Sequence, residues 1–232
     1  MNNKIIVLIT AFLLSFSIYS QAPRGFYAKA LVNNTSFKSK DMLADAAIGY
    51  GVGINFNFGY HETYNYQIEV MYNKNSMNFK SVDQSYAAVY DSKYNYTALQ
   101  TGFYLNYYVL KPDEDAFFIG PQVGGSLTFG GSFSPAKDAG SNGEYYLPYL
   151  IDQNSFTNDT PKMLVNVGLG ITGGYNRFRF DLRYDLGLTN VLQNVQTDSY
   201  DANNNYTGPS LSGKMNNISF GISYNIWALT KK

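Results

Sequence analysis

Between Arg177 and Leu186 the chain reads RFRFDLRYDL, and its two parities carry different chemistry. Arg177, Arg179, Asp181, Arg183 and Asp185 share one parity; Phe178, Phe180, Leu182, Tyr184 and Leu186 share the other. A strand turns successive side chains to opposite faces, so this segment is a strand with one charged side and one apolar side. In a helix the two sets would mix on every face. A chain built this way folds into a sheet whose two faces meet different surroundings.

The pattern recurs. Residues 46–58 set Ile48, Tyr50, Val52, Ile54, Phe56 and Phe58 against Gly49, Gly51, Gly53, Asn55 and Asn57, and residues 64–73 set Tyr64, Tyr66, Ile68, Val70 and Tyr72 against Asn65, Gln67, Glu69, Met71 and Asn73. Residues 116–129, 163–174 and 215–227 alternate in the same way. Two segments are less regular: 25–33, with Phe26, Ala28, Ala30 and Val32 opposite Lys29, and 95–109, with Leu99, Phe103, Leu105 and Tyr107 opposite Gln100. That makes eight strands, roughly twice the usual strand share, and no helical period. A connection of about 12 residues follows the first strand; short turns at 59–63, 111–115 and 175–176 then alternate with long loops at 76–94, 130–161 and 189–214. This order puts the long loops at one end of an up-and-down barrel, and both termini at the other.

The first twenty residues stand apart. Lys4 precedes the apolar run from Ile5 to Ile18, and Ser20 comes just before Gln21, the layout of a cleaved secretory signal peptide. The barrel domain is then expected over 21–232. Beyond the leader no apolar run is long enough for a transmembrane helix, so a membrane could be crossed only by a closed barrel. With 17 basic and 17 acidic residues there is no excess of positive charge to suggest nucleic acid. The absence of Cys excludes disulfides and thiolate metal sites.

A soluble carrier barrel alternates too, with its apolar face inside, so the composition of the polar face must decide. A water-facing surface carries roughly 25–35% charged residues, whereas only 15% of this chain is charged and its polar face is mostly Gly, Asn, Ser and Gln. Repeated glycine would weaken an exposed strand, but in a narrow lumen it leaves room for large side chains. The expected fold is therefore all-β: an eight-stranded antiparallel up-and-down transmembrane β-barrel in the outer membrane, its apolar face on lipid. Lys29, Arg179 and Arg183 are expected to pair inside with Glu69, Asp181 and Asp185 as structural packing. Tyr60, Tyr64, Tyr107, Phe117, Tyr175, Phe178, Tyr224 and Trp227, near strand ends, suit interfacial aromatic girdles.

With its leader, its eight alternating strands and the final strand NISFGISYNIW at 217–227, the chain resembles the small outer-membrane β-barrel families of the OmpX and OmpA-barrel type. It looks most like the porin-family or PorT-like barrels of the Bacteroidetes. The last strand resembles the signal read by the barrel-assembly machinery, although ALTKK follows Trp227. The resemblance implies membrane lipid and that machinery as partners, with envelope proteins as further candidates. It assigns no binding residue.

Other motifs carry less. GLGITG at 168–173 matches a dinucleotide fingerprint in letters, but it lies within an alternating strand where the phosphate chemistry needs a strand-to-helix turn. His61, the single histidine, has no evident catalytic partner, and Asp113, Glu114 and Asp115 read as a solvated turn. No catalytic residue, metal or cofactor is expected. Tyr-rich loop segments at 144–152 and 198–208 are the candidates for specificity. The leading expectation is a structural or surface-interaction barrel. An accessory part of a secretion or envelope-assembly machine, a narrow pore for small solutes and a soluble ligand-binding barrel stay open.

Overall fold

The computed structural model describes residues 24–59, 63–82, 89–109, 117–135, 145–146, 151–195, 197 and 208–228. The expected leader at 1–20, Tyr60, His61 and the acidic turn at 113–115 lie outside these residues.

Eight long strands form a closed ring: β1 (Gly25–Ser39), β2 (Ala44–Phe58), β3 (Tyr64–Val82), β4 (Val89–Tyr107), β5 (Phe118–Pro135), β6 (Met163–Tyr175), β7 (Phe178–Gly187) and β8 (Gly213–Ala228). Each pairs antiparallel with the next, and β8 returns to β1 in register from Gly25 opposite Ala228 to Ser39 opposite Gly213. The up-and-down barrel expected from the alternation is the one found. Closure leaves no barrel edge with an unpaired row of backbone groups.

The boundaries correct the sequence reading. The connection after the first strand shrinks, because β1 runs to Ser39 and β2 starts at Ala44. The expected loop at 76–94 is largely hairpin: β3 and β4 stay paired out to Val82 opposite Val89. The segment 130–161 carries β5 on to Pro135 and holds a short helix, α1 (Gln153–Asp159), where no helix was expected. Two-residue strands at Tyr145–Tyr146 and Ile151–Asp152 pair with each other, the first also with Ser81–Val82 of β3. The turn expected at 175–176 sits one residue later, at Asn176 and Arg177 between Tyr175 and Phe178, with Asn176 at φ 55°.

These extensions were hidden because the two faces exchange chemistry along the strands. On β3 the odd residues point inward throughout. They are polar or methionine from Asn65 to Asn73, then become Met77 and Phe79. The outward set runs Tyr66, Ile68, Val70 and Tyr72, then Lys74, Asn78 and Lys80. On β4, inward Asn106 and Gln100 give way to Tyr96 and Tyr94, while outward Phe103 and Leu99 give way to Lys93 and Asp91. On β1, inward Lys29 leads to Phe37 and outward Val32 leads to Lys38. β5 reaches the same arrangement through a bulge at Gly130 and Gly131, which turns Phe133 inward.

The barrel therefore has two storeys. Near the short turns the exterior is apolar and the interior polar. Outward apolar residues run from Ile48 to Phe58 on β2 and from Phe178 to Leu186 on β7, close to the nine to eleven residues a tilted strand needs to cross a bilayer. Near the long connections a collar reverses both faces, as a water-surrounded barrel requires. Its interior is an apolar plug of Phe37, Met77, Phe79, Tyr94, Tyr96, Phe133, Leu164 and Met215, closed from above by Met42, Phe156, Leu192 and Leu211. Phe156 of α1 lies 4.6 Å from the Phe133 ring and 5.1 Å from that of Phe79, centroid to centroid.

Candidate functional site in the barrel lumen

Strand β7 projects Arg179, Asp181, Arg183 and Asp185 into the polar storey, at alternate positions with no bulge. None is more than 4% exposed, and neither are Lys29 of β1 and Glu69 of β3. A charge removed from water needs a partner and further hydrogen bonds. Here the six side chains supply three positive and three negative groups.

They join across the ring. Lys29 Nζ lies 3.0 Å from Glu69 Oε2 and 2.9 Å from Asp181 Oδ2. Arg183 donates from Nη2 to Glu69 Oε1 at 2.7 Å, a contact that spans the lumen from β7 to β3, and from Nε to Asp185 Oδ2 at 3.3 Å. Arg179 donates from Nε to Asp181 Oδ1 at 3.2 Å and from Nη1 to Asn57 Oδ1 of β2 at 2.6 Å. The Arg183 guanidinium also lies 4.2 Å over the centre of the Tyr104 ring, so a β4 aromatic fills the lumen beside it.

Neutral polar groups surround the ions. Gln67 donates to Glu69 at 3.1 Å and Thr172 to Asp181 at 3.0 Å. Gln122, Asn106 and Asn65 form an amide chain at 2.7 and 2.8 Å. Two glycines show why small residues face this space. A Cβ on Gly168 would stand 2.6 Å from Asp185 Oδ1, and one on Gly221 would stand 2.8 Å from Lys29 Cε. Between ion network and apolar plug lies a cavity of about 30 Å³, lined by Thr35, Asn75, Gln100, Asp185, Tyr96 and Met215 among others. That is room for a water or two.

Of the eight aromatic residues singled out from the sequence, the seven that are described lie on the outside. Tyr107, Phe117, Tyr175, Phe178 and Trp227 are exposed, and Tyr64 and Tyr224 are half-buried. Strict alternation would turn Trp227 inward; a bulge at Ile226 instead leaves Ile226 and Trp227 both outside. Arg177, which shares parity with the lumen charges, sits in the turn and donates to the Tyr224 hydroxyl at 3.4 Å. GLGITG lies within β6. Of the Tyr-rich loop segments, the described residues are Tyr145, Tyr146, Ile151, Asp152 and Gly208. Among the described residues no group of three or more His, Cys, Asp or Glu could hold a metal ion. Sequence reasoning missed the apolar plug, although following strand parity past residue 76 would have led to Met77, Phe79, Tyr94 and Tyr96.

A closed antiparallel ring with an apolar outer band and a charged, packed interior defines an integral membrane β-barrel. The chain belongs to the outer membrane protein beta-barrel domain family, whose profile matches residues 14–193. It is thus an outer-membrane protein. No curated protein matches the sequence. Among solved structures it is similar to OprG from Pseudomonas aeruginosa, at 10% identity and TM-score 0.45 over 89% of this chain and 98% of that one. Neisserial surface protein A gives 14% identity and 0.41 over 87% and 97%. The attachment invasion locus protein Ail of Yersinia pestis gives 11% and 0.39 over 87% and 98%. With scores this low, the fold rests on the closed strand pairing and the family match.

Proposed function

We propose that this barrel is a sealed anchor rather than a pore or an enzyme, and that it holds a structured platform on the outer side of the membrane. One observation carries the reading: the lumen is filled twice in series, by the cross-lumen ion network and then by the apolar plug. Eight-stranded barrels are only wide enough for side chains to fill them, and here both storeys are filled. The six charges neutralise one another, which accounts for them as packing without any chemistry. In this reading the short turns face the periplasm, the collar and long connections face outward, and the exterior aromatics sit at the lipid interfaces. The leader directs export, and β8 is the strand that the barrel-assembly machinery reads.

Planar-bilayer recording of the reconstituted full-length protein tests the seal. The expected result is no steady unitary conductance; discrete steps from the wild-type protein would overturn it. Cross-linking in intact outer membranes tests the platform. Envelope proteins recovered through the collar or its loops support it, whereas partners attached only at the turn end would refute the outward-facing role.

A further inference from the structure

The collar treats its lysines in two ways. Lys80 on β3 lies 3.3 Å from Asp45 and also pairs with Asp91, so its charge is met from both neighbouring strands. At the seam where the ring closes, Lys38 of β1 stands directly opposite Lys214 of β8. Both point outward and are exposed, and Lys40 follows two residues on. Like charges directly opposite each other weaken an antiparallel pair. Among the described residues neither lysine has an acidic partner. The nearest acid in sequence, Asp41, is buried and accepts the backbone N–H of Ser212 at 2.7 Å.

The height of the pair indicates what balances it. Four residues below, Asn34 stands opposite Ile218, and two further down Val32 stands opposite Phe220, in the apolar band. Four residues of tilted strand rise roughly 10 Å along the barrel axis. This carries the two ammonium groups from the hydrocarbon edge to the level of the lipid headgroups. Lysine stems lie along apolar surface and deliver the charge there.

We infer that the Lys38–Lys214 seam, with Lys40, binds the phosphate of an anionic glycolipid headgroup in the outer leaflet. One phosphate between the two ammonium groups turns a repulsive cross-strand pair into a bridged one and fixes a lipid against the β1–β8 closure. The inference rests on the outward orientation of the collar proposed above.

The test compares wild-type protein with Lys38→Gln/Lys214→Gln in phosphatidylcholine nanodiscs, using purified lipopolysaccharide as the probe and native mass spectrometry as the readout. At about 1 kcal/mol per lysine, the double variant is expected to bind about thirtyfold more weakly. Lys38→Arg/Lys214→Arg and Lys93→Gln should bind like wild type. Dephosphorylated lipopolysaccharide should bind like the double variant, and millimolar inorganic phosphate should not displace the intact lipid. Displacement by phosphate would mean a free-anion site instead. Equal binding by wild type and the double variant, with heat-modifiable mobility confirming that both are folded, would overturn the inference. Orientation is read separately by labelling Lys93→Cys in intact cells with a membrane-impermeant maleimide, in a chain that has no other Cys. Failure of that labelling would refute the orientation without touching the binding result.

Discussion

Glu69→Gln tests whether the lumen network holds the barrel together. The wild-type carboxylate is fully buried and receives Lys29 at 3.0 Å, Arg183 at 2.7 Å and Gln67 at 3.1 Å. Glutamine keeps the volume but removes the charge and turns an N–H₂ group toward a cation. Lys29 then retains Asp181 at 2.9 Å and Arg183 retains Asp185 at 3.3 Å, so the lumen passes from balance to one excess positive charge. Removing one member of a buried ion pair costs about 3–5 kcal/mol, and the second carboxylate on each cation places this case near the low end, about 3 kcal/mol. With a urea slope of about 1–3 kcal/mol per molar, the unfolding midpoint should fall by about 1–3 M. Urea unfolding in phosphatidylcholine vesicles measures this, read by gel mobility and by the emission of Trp227, the single Trp, which lies on the outer face. Adding Lys29→Gln removes the excess charge and leaves two intact pairs, Arg179–Asp181 and Arg183–Asp185. The double variant should therefore be more stable than the sum of the two single losses. Two results would refute the reasoning: a Glu69→Gln shift no larger than that of the surface change Lys93→Gln, or simple additivity in the double variant.

Three further outcomes follow from the two-storey barrel. Leu182→Arg places a cation in the outward band of β7, where it should cost about 2–4 kcal/mol, seen as a smaller heat-resistant folded fraction in vesicles. Phe156→Ala empties the centre of the collar plug at a local cost of about 3–5 kcal/mol. External protease should then cut between residues 136 and 162 while the heat-modifiable mobility of the barrel is unchanged; loss of that mobility would show that plug and barrel fold as one unit. Gly168→Ala drives a Cβ to 2.6 Å from Asp185 Oδ1, so overpacking should cost about 1–3 kcal/mol. A wild-type urea midpoint would mean that the lumen yields more readily than its geometry implies.

Much of the membrane-spanning storey was legible from residue order. On β7 the alternation of Arg179 to Asp185 with Phe178 to Leu186 separates an inner from an outer face, and eight such segments imply an even, closed ring. The connections were less legible. Residues 76–82 and 89–94 continue β3 and β4, yet they read as loop because Met77, Phe79, Tyr94 and Tyr96 took over the inward parity just as Lys80, Asp91 and Lys93 took the outward one. Bulges at Gly130 and Ile226 shift parity locally, which alternation alone does not reveal.

By itself the order of residues determined the strand period, the two faces of each membrane-crossing segment and the set of charges that had to be kept from lipid, because those follow from a neighbour-to-neighbour rule. Only the tertiary structure decided which charges meet, since Arg183 reaches Glu69 across the ring and Lys38 meets Lys214 where the ends of the sheet close. It also decided where inside and outside exchange roles. Whether an apolar side chain belongs on the outer face depends on the medium at its height, and that height is set by register and tilt summed over eight paired strands, a quantity no single segment contains.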